Sequence, residues 1–223
     1  MNRKRLAVIC GSNGRLGGHL ARGFSAAGYS VVGLDRQEAS ENDWPVVITN
    51  MTDESSVISS FQNLNNLFGV PSVLIQTVGM WGMSPFVETE LASWRLMMDV
   101  NLTSTFLVFR EAARMMNTAQ IDSESSVARR LIGISSRQGA NRGAAQQAAY
   151  SAAKAGVVRL VEAVAEEFAD SNLTAHAVAP STIVFDDDDA NNGVHVSTIV
   201  DCCLLLASDA GEPLNGETIE AFS

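Results

Sequence analysis

The chain has 223 residues, 46% hydrophobic and 18% charged, amounts that suit a single domain spanning 1–223 with a sizeable core. Its 15 basic and 25 acidic side chains give a formal net charge of −10. That balance argues against a broad polyanion-binding face, so no nucleic-acid partner is expected.

In chain order, short apolar runs alternate with longer amphipathic stretches. The first run, Leu6–Cys10, follows a basic start but holds only five residues, fewer than a secretory h-region. No apolar run approaches the ~20 residues that cross a bilayer, so no membrane association is expected. A glycine-rich turn follows, with Gly11, Gly14 and Gly17 spaced Gly-x-x-Gly-x-x-Gly, and then a helix over 17–27. Glycines let a backbone approach a pyrophosphate closely, and the free N–H groups at a helix N-terminus attract its charge. The second strand, 30–34, leads to Asp35, 18 residues after Gly17, matching the acidic residue that hydrogen-bonds an adenosine ribose about 20 residues on. Only ten residues, 36–45, separate Asp35 from the third strand at 46–49, so an irregular link is expected there in place of a crossover helix.

The pattern continues with a helix at 54–67, a strand at 73–76, a long helix at 90–117 and a strand at 130–134. It closes with a helix at 148–169, a strand at 173–179, a helix at 197–207 and a last strand at 218–221. Strands that alternate with helices and are apolar throughout imply βαβ crossovers and a parallel sheet covered on both faces. The expected fold class is α/β: a doubly wound parallel sheet, Rossmann-type and three-layered, with no second domain.

The helix at 148–169 is rich in alanine and opens with Tyr150 and Lys154, four apart and therefore on one face. An adjacent ammonium favours a phenolate, so the pair suits proton transfer at neutral pH. The segment 185–192, "FDDDDANN", sets four aspartates side by side without an apolar face, and a mobile solvated loop is expected. Cys10, Cys202 and Cys203 are odd in number and lack metal spacing, which fits a reduced, cytoplasmic setting. His19, His176 and His195 share no spacing, so no metal site is expected. Met97, Met98, Met115 and Met116 read as core or subunit contacts.

Several ordered motifs resemble the short-chain dehydrogenase/reductase family from Leu6 to about Ala221. "YSAAK" is similar to its Tyr-x-x-x-Lys motif, "LIGISSRQG" to its strand-end serine segment and "MMDVNLTSTF" to its asparagine-bearing helix. "AVAPSTI" looks like the Pro-Gly segment beside the nicotinamide, with Ser181 in place of Gly, and "LLLASDAGEPLNGETIE" like the closing helix and strand. The resemblance implies an NAD(P)-dependent enzyme that moves hydride between its cofactor and a carbonyl or alcohol. It implies catalytic roles for Asn101, Ser136, Tyr150 and Lys154. Tyr150 gives or takes the proton, Lys154 lowers the Tyr pKa and holds the nicotinamide ribose, Ser136 binds the substrate oxygen, and Asn101 supports a water chain to Lys154. Cofactor contacts are implied for Gly11, Asn13, Arg15, Leu16, Gly17, Asp35, Met51, Val78, Gly79, Tyr150, Lys154, Pro180 and Ile183. A homodimer or homotetramer is implied by analogy.

The departures are Arg15 in the place of a family glycine, "QTVG" after the fourth strand and a Ser136–Tyr150 separation one longer than the commonest value. The substrate loop after Pro180 is also short. The glycine spacing, the missing helix after Asp35, Met51–Asp53 and Gly79-x-Trp81 resemble dihydropteridine reductase, a divergent branch, although Ser136 departs from that branch. A dihydropteridine-reductase-like enzyme and a non-catalytic dinucleotide-binding regulator are the alternatives. NAD is expected over NADP, because Asp35 can accept hydrogen bonds from free ribose hydroxyls and would repel a 2′-phosphate. Arg15 and Arg36 are the competing candidates for pairing with that phosphate.

Overall fold

A computed structural model describes residues 5–38, 43–123, 127–189 and 192–222. In chain order the first half runs β1 (Leu6–Cys10), α1 (Arg15–Ala26), β2 (Ser30–Asp35), β3 (Val46–Ile48), α2 (Glu54–Phe68), β4 (Val73–Gln76), α3 (Leu91–Met98) and α4 (Ser104–Ser123). The second half runs β5 (Arg129–Ile134), α5 (Arg137–Ala140), α6 (Ala148–Glu167), β6 (Leu173–Pro180), β7 (Ile183–Val184), β8 (Val194–His195), α7 (Val196–Ala207) and β9 (Thr218–Ala221).

Seven strands form one sheet in the order β3-β2-β1-β4-β5-β6-β9, and every neighbouring pair is parallel. Side chains alternate along each strand and so feed two cores. Leu6, Val8 and Cys10 of β1 pack with Phe61 and Leu64 of α2 and Phe109 of α4. Ala7 and Ile9 pack on the other face with Leu20 and Phe24 of α1 and Ile199 and Leu206 of α7. Each fully buried Leu, Ile or Phe stabilises the fold by roughly 1.5–3 kcal/mol, which makes both helical layers obligatory. The result is the expected three-layer, doubly wound α/β fold.

The order in which strands are added reverses at β1, which pairs with β2 on one side and β4 on the other. In such sheets the crevice beyond the strands' carboxyl ends at this switch point receives ligands.

Two local features differ from expectation. The long helix at 90–117 is two helices, α3 and α4, joined by a single π turn over Asp99–Thr103. The cause is visible in the hydroxyls that follow the turn. Ser104 Oγ donates to the Val100 carbonyl at 2.6 Å and Thr105 Oγ1 to the Asn101 carbonyl at 2.8 Å, competing with the backbone ladder. A small parallel pair, β7 with β8, also lies outside the main sheet. The link at 36–45 is non-helical in its described parts, and 39–42 lie outside the described residues. Met97 and Met116 are core residues.

Candidate active site

The turn after β1 is built on glycines for a steric reason. Gly11 has φ +75°, and a Cβ on Gly17 would lie 2.0 Å from the Gly11 carbonyl oxygen. Only a bare backbone brings the first turn of α1 this close to the loop. Helix α1 has no side-chain cap at Gly14 and no acidic residue in its first turn. Its leading N–H groups therefore keep the positive end of the helix dipole available to an anion.

Asp35 closes the other end of this cradle. Its Oδ2 accepts from the Asn13 N–H at 2.9 Å and its Oδ1 from the Arg36 N–H at 2.7 Å, so the carboxylate is fixed between β2 and the glycine turn. Gly11, Asn13, Arg15, Leu16, Gly17, Asp35, Met51, Val78 and Gly79 all border one cleft of about 810 Å³. Thr49, Asn50, Thr52 and Thr77 border it too, and sequence reasoning missed them. Their signal was a short polar stretch immediately after an apolar strand. Thr77 Oγ1 donates to the Cys10 carbonyl at 2.6 Å, tying the end of β4 to the end of β1. An anion-binding turn, a fixed carboxylate and a long cleft between them fit a dinucleotide.

A second cleft of about 560 Å³ adjoins the first and shares Leu16, Thr77, Gly79 and Met80 with it. Asn101, Ser136, Tyr150, Lys154, Pro180 and Ile183 line it, so the structure brings together all four residues expected to carry the chemistry. Asn101 sits inside the π turn and is buried. Its Nδ2 donates to the carbonyls of Met80 and Met97, each at 3.0 Å, and its Oδ1 accepts from the Met80 N–H at 3.1 Å. A Cβ on Gly79 would lie 2.8 Å from Asn101 Oδ1 and 3.1 Å from Lys154 Nζ, so the bare backbone lets this segment pass between them.

Lys154 is buried, its Nζ donates to the Ile134 carbonyl at 2.8 Å, and burial lowers its pKa to about 8. Burial pushes the Tyr150 phenol above its ordinary value, and the neighbouring Ser136 hydroxyl opposes that rise. Desolvation is the larger influence on the phenol in this structure, and the Lys154 ammonium donates its hydrogen bond to Ile134. Ser136 Oγ is buried and has no hydrogen-bond partner among the described residues. Its influence on Tyr150 is thus that of a neighbour aimed at the same space. Trp81, noted in the sequence only within Gly79-x-Trp81, stands at the cleft's edge, where its Nε1 donates to Gln147 Oε1 at 3.4 Å.

The aspartate segment is solvated as expected, with the Asp186 and Asp187 side chains 73% and 80% exposed, and side-chain contacts also tie residues 185–188 to α1 and β8. Arg15 bonds both Asp187 and Asp188, the latter at 2.8 Å, and its guanidinium lies 4.0 Å from the centre of the Phe185 ring. Asp186 pairs with His195 at 3.1 Å and with His19 at 3.5 Å. Three residues that looked unrelated in sequence meet here because β7 carries the loop back over the glycine turn. Residues 190–191 of the segment lie outside the described residues.

Fold and site together define a Rossmann-type oxidoreductase with a glycine-built cleft at its switch point. Residues 5–190 match the short chain dehydrogenase family, and the chain belongs to that family. It is 31% identical over 190 residues to the cis-4-hydroxycyclohexanecarboxylate dehydrogenase of Sinomonas cyclohexanicum, covering 79% of this chain and 72% of the relative. It is 26% identical over 238 residues to the 3-oxoacyl-(acyl-carrier-protein) reductase FabG of Salmonella typhimurium, covering 96% and 94%. Among solved structures, a gluconate 5-dehydrogenase from Burkholderia cenocepacia, in complex with NADP and tartrate, superposes with a TM-score of 0.86 at 23% identity over 98% of this chain and 93% of that one. Among the described residues, no helix is long and apolar enough to cross a membrane, no cluster of His, Cys, Asp or Glu has the makings of a metal site, and Cys10, Cys202 and Cys203 are free thiols.

Proposed function

We propose that the protein transfers hydride between a nicotinamide dinucleotide and a small carbonyl or alcohol substrate, with Tyr150 as the acid and base. The observation that carries this reading is the meeting of Asn101, Ser136, Tyr150 and Lys154 in one cleft that opens into the glycine-built cleft. The bound nicotinamide supplies the hydride, and the protein's task is to place the proton and the charges around it. Reduction of a carbonyl develops negative charge on its oxygen, which needs a donor close by as the charge grows. Tyr150 is that donor, since burial keeps its hydroxyl protonated at neutral pH. Ser136, with an unpartnered buried hydroxyl, hydrogen-bonds the same oxygen. Lys154 holds the nicotinamide ribose from its buried site, and Asn101 braces Gly79–Met80 and supports the water chain that resupplies Tyr150 through Lys154. Pro180 and Ile183 wall the nicotinamide side of the cleft.

Residues 1–223 act as one cofactor-binding domain, in the cytoplasm, as a homodimer or homotetramer. Leu91 and Leu96 of α3 and Phe106 of α4 are exposed apolar side chains that favour a second copy. NAD(H) is the preferred dinucleotide in this reading, supported by the fixed carboxylate of Asp35. The NADP held by the Burkholderia relative does not favour that preference, so the choice rests on Asp35 alone.

A panel of ketones, aldehydes, secondary alcohols and quinonoid dihydropterin, followed by NADH and NADPH absorbance, tests the reading. Turnover of a carbonyl or alcohol supports it. Turnover of the pterin alone replaces it with a pteridine reductase, and dinucleotide binding without any turnover replaces it with a regulator.

A further inference from the structure

Arg15 borders the same cleft as Asp35 and Arg36, on the first turn of α1. It is therefore placed among the groups that meet the ribose end of a dinucleotide. Yet its guanidinium is committed elsewhere, to the carboxylates of Asp187 and Asp188 and to the face of Phe185. Asp188 is itself positioned, since its Oδ2 accepts from the Phe185 N–H at 3.0 Å while its Oδ1 takes Arg15. Asp186 adds two contacts, to His19 on the next turn of α1 and to His195 at the end of β8. The loop thus joins the glycine turn from the substrate side of the molecule.

Exposed ion pairs of this kind contribute little to stability, so the effect that matters is where the charge sits. One guanidinium shared between two carboxylates leaves no net positive charge on this trio at the cleft's edge. Asp187 also lines a smaller pocket of about 390 Å³ with Asn13, Gly14 and Arg15, directly beside the dinucleotide cleft. NADP differs from NAD by a phosphate monoester that is close to dianionic at neutral pH and is best held by a free guanidinium.

We propose that Asp187 and Asp188 are specificity-determining residues: by occupying Arg15 they deny it to a 2′-phosphate and make the cleft select NAD(H) over NADP(H). The inference rests on the dinucleotide reading above and adds a second acidic barrier, from a different part of the chain, to that of Asp35.

The experiment is a binding titration of NADH and NADPH, without substrate, by quenching of tryptophan fluorescence. It compares wild type, Asp187→Asn/Asp188→Asn, the same pair combined with Arg15→Met, and Asp35→Ser. Both aspartates are on the surface and Asn preserves their shape, so folding is unaffected. The double variant is expected to bind NADPH ~10-fold tighter, about 1.4 kcal/mol, with NADH affinity held within about twofold. Adding Arg15→Met is expected to cancel the gain. Unchanged NADPH affinity in the double variant overturns the proposal, and so does equal tightening of both dinucleotides, which would mean general competition for phosphate. The Asp35→Ser arm separates the two barriers. A gain there with none in the double variant leaves Asp35 as the selector and removes the loop. Wild type that binds NADPH more tightly than NADH also overturns the proposal, whatever the double variant does.

Discussion

Lys154 is an ammonium taken out of water with one carbonyl, that of Ile134, to receive it. Its pKa, lowered to about 8 from 10.5, means that the charged form opposes folding. The sign follows from linkage. Below about pH 8 the native lysine is charged and the full cost is present; the cost fades as pH rises toward 10.5, where the unfolded chain also loses the proton. A depression of this size corresponds to roughly 3 kcal/mol, offset by about 1 kcal/mol for the hydrogen bond. Lys154→Met is therefore expected to raise the unfolding free energy in urea by about 2 kcal/mol at pH 7 while weakening dinucleotide binding. A less stable variant would mean that the ammonium is better satisfied than its single bond indicates. Tyr150 shifts the other way, with burial favouring the neutral phenol. Alcohol oxidation, which needs the phenolate, is expected to accelerate as pH rises above neutrality, whereas carbonyl reduction should hold steady and slow only above the ordinary phenol pKa of about 10. A reduction rate that climbs with pH would contradict the assigned donor.

Elements place these groups. The π turn between α3 and α4 turns Asn101 inward, where one amide side chain serves both backbone groups of Met80. Asn101→Ala leaves those partly buried groups without their side-chain partner, at a cost of about 1 kcal/mol. It is expected to speed hydrogen exchange at the Met80 amide and to lower kcat. Unchanged exchange at Met80 would remove Asn101 from its bracing role. The sequence showed a helix here, and the resemblance placed Asn101 in it. It did not show the break, because 3.6-residue periodicity cannot register one inserted residue; the hydroxyls of Ser104 and Thr105 were the only sign. The strands and the glycine turn were legible for the opposite reason. Their signals, continuous apolar runs and obligatory glycines, are local and sterically forced. The contacts of the loop at 185–188 were not legible because its partners, Arg15, His19 and His195, are distant in sequence and only topology brings them together.

Across the whole molecule, the parallel sheet is also held at its far edge by a polar contact. His176 on β6 is fully buried, with Nδ1 at 2.9 Å from the Leu214 carbonyl and Nε2 at 2.7 Å from Thr174 Oγ1. Burial lowers its pKa to about 4, so the native state holds it neutral. The unfolded chain binds this proton at about 6.5, so the contribution is complete above that pH and is lost as pH falls toward 4. Between those limits the protein is expected to lose roughly 3 kcal/mol of stability from this group alone. Replacing His176 with Gln should flatten that part of the stability–pH profile. An unchanged slope would assign the acid sensitivity to other groups.

The central claim, that Tyr150 delivers the proton which completes hydride transfer, is tested most directly by Tyr150→Phe. The variant removes one hydroxyl and keeps the ring, so melting temperature and NADH affinity are expected to match wild type. With a carbonyl substrate identified from the panel, single-turnover oxidation of bound NADH should fall by ~10²–10⁴-fold, the usual worth of a general acid. A variant that keeps more than about half of the wild-type rate, at equal NADH occupancy, would contradict the account, since a general acid's loss costs far more than twofold.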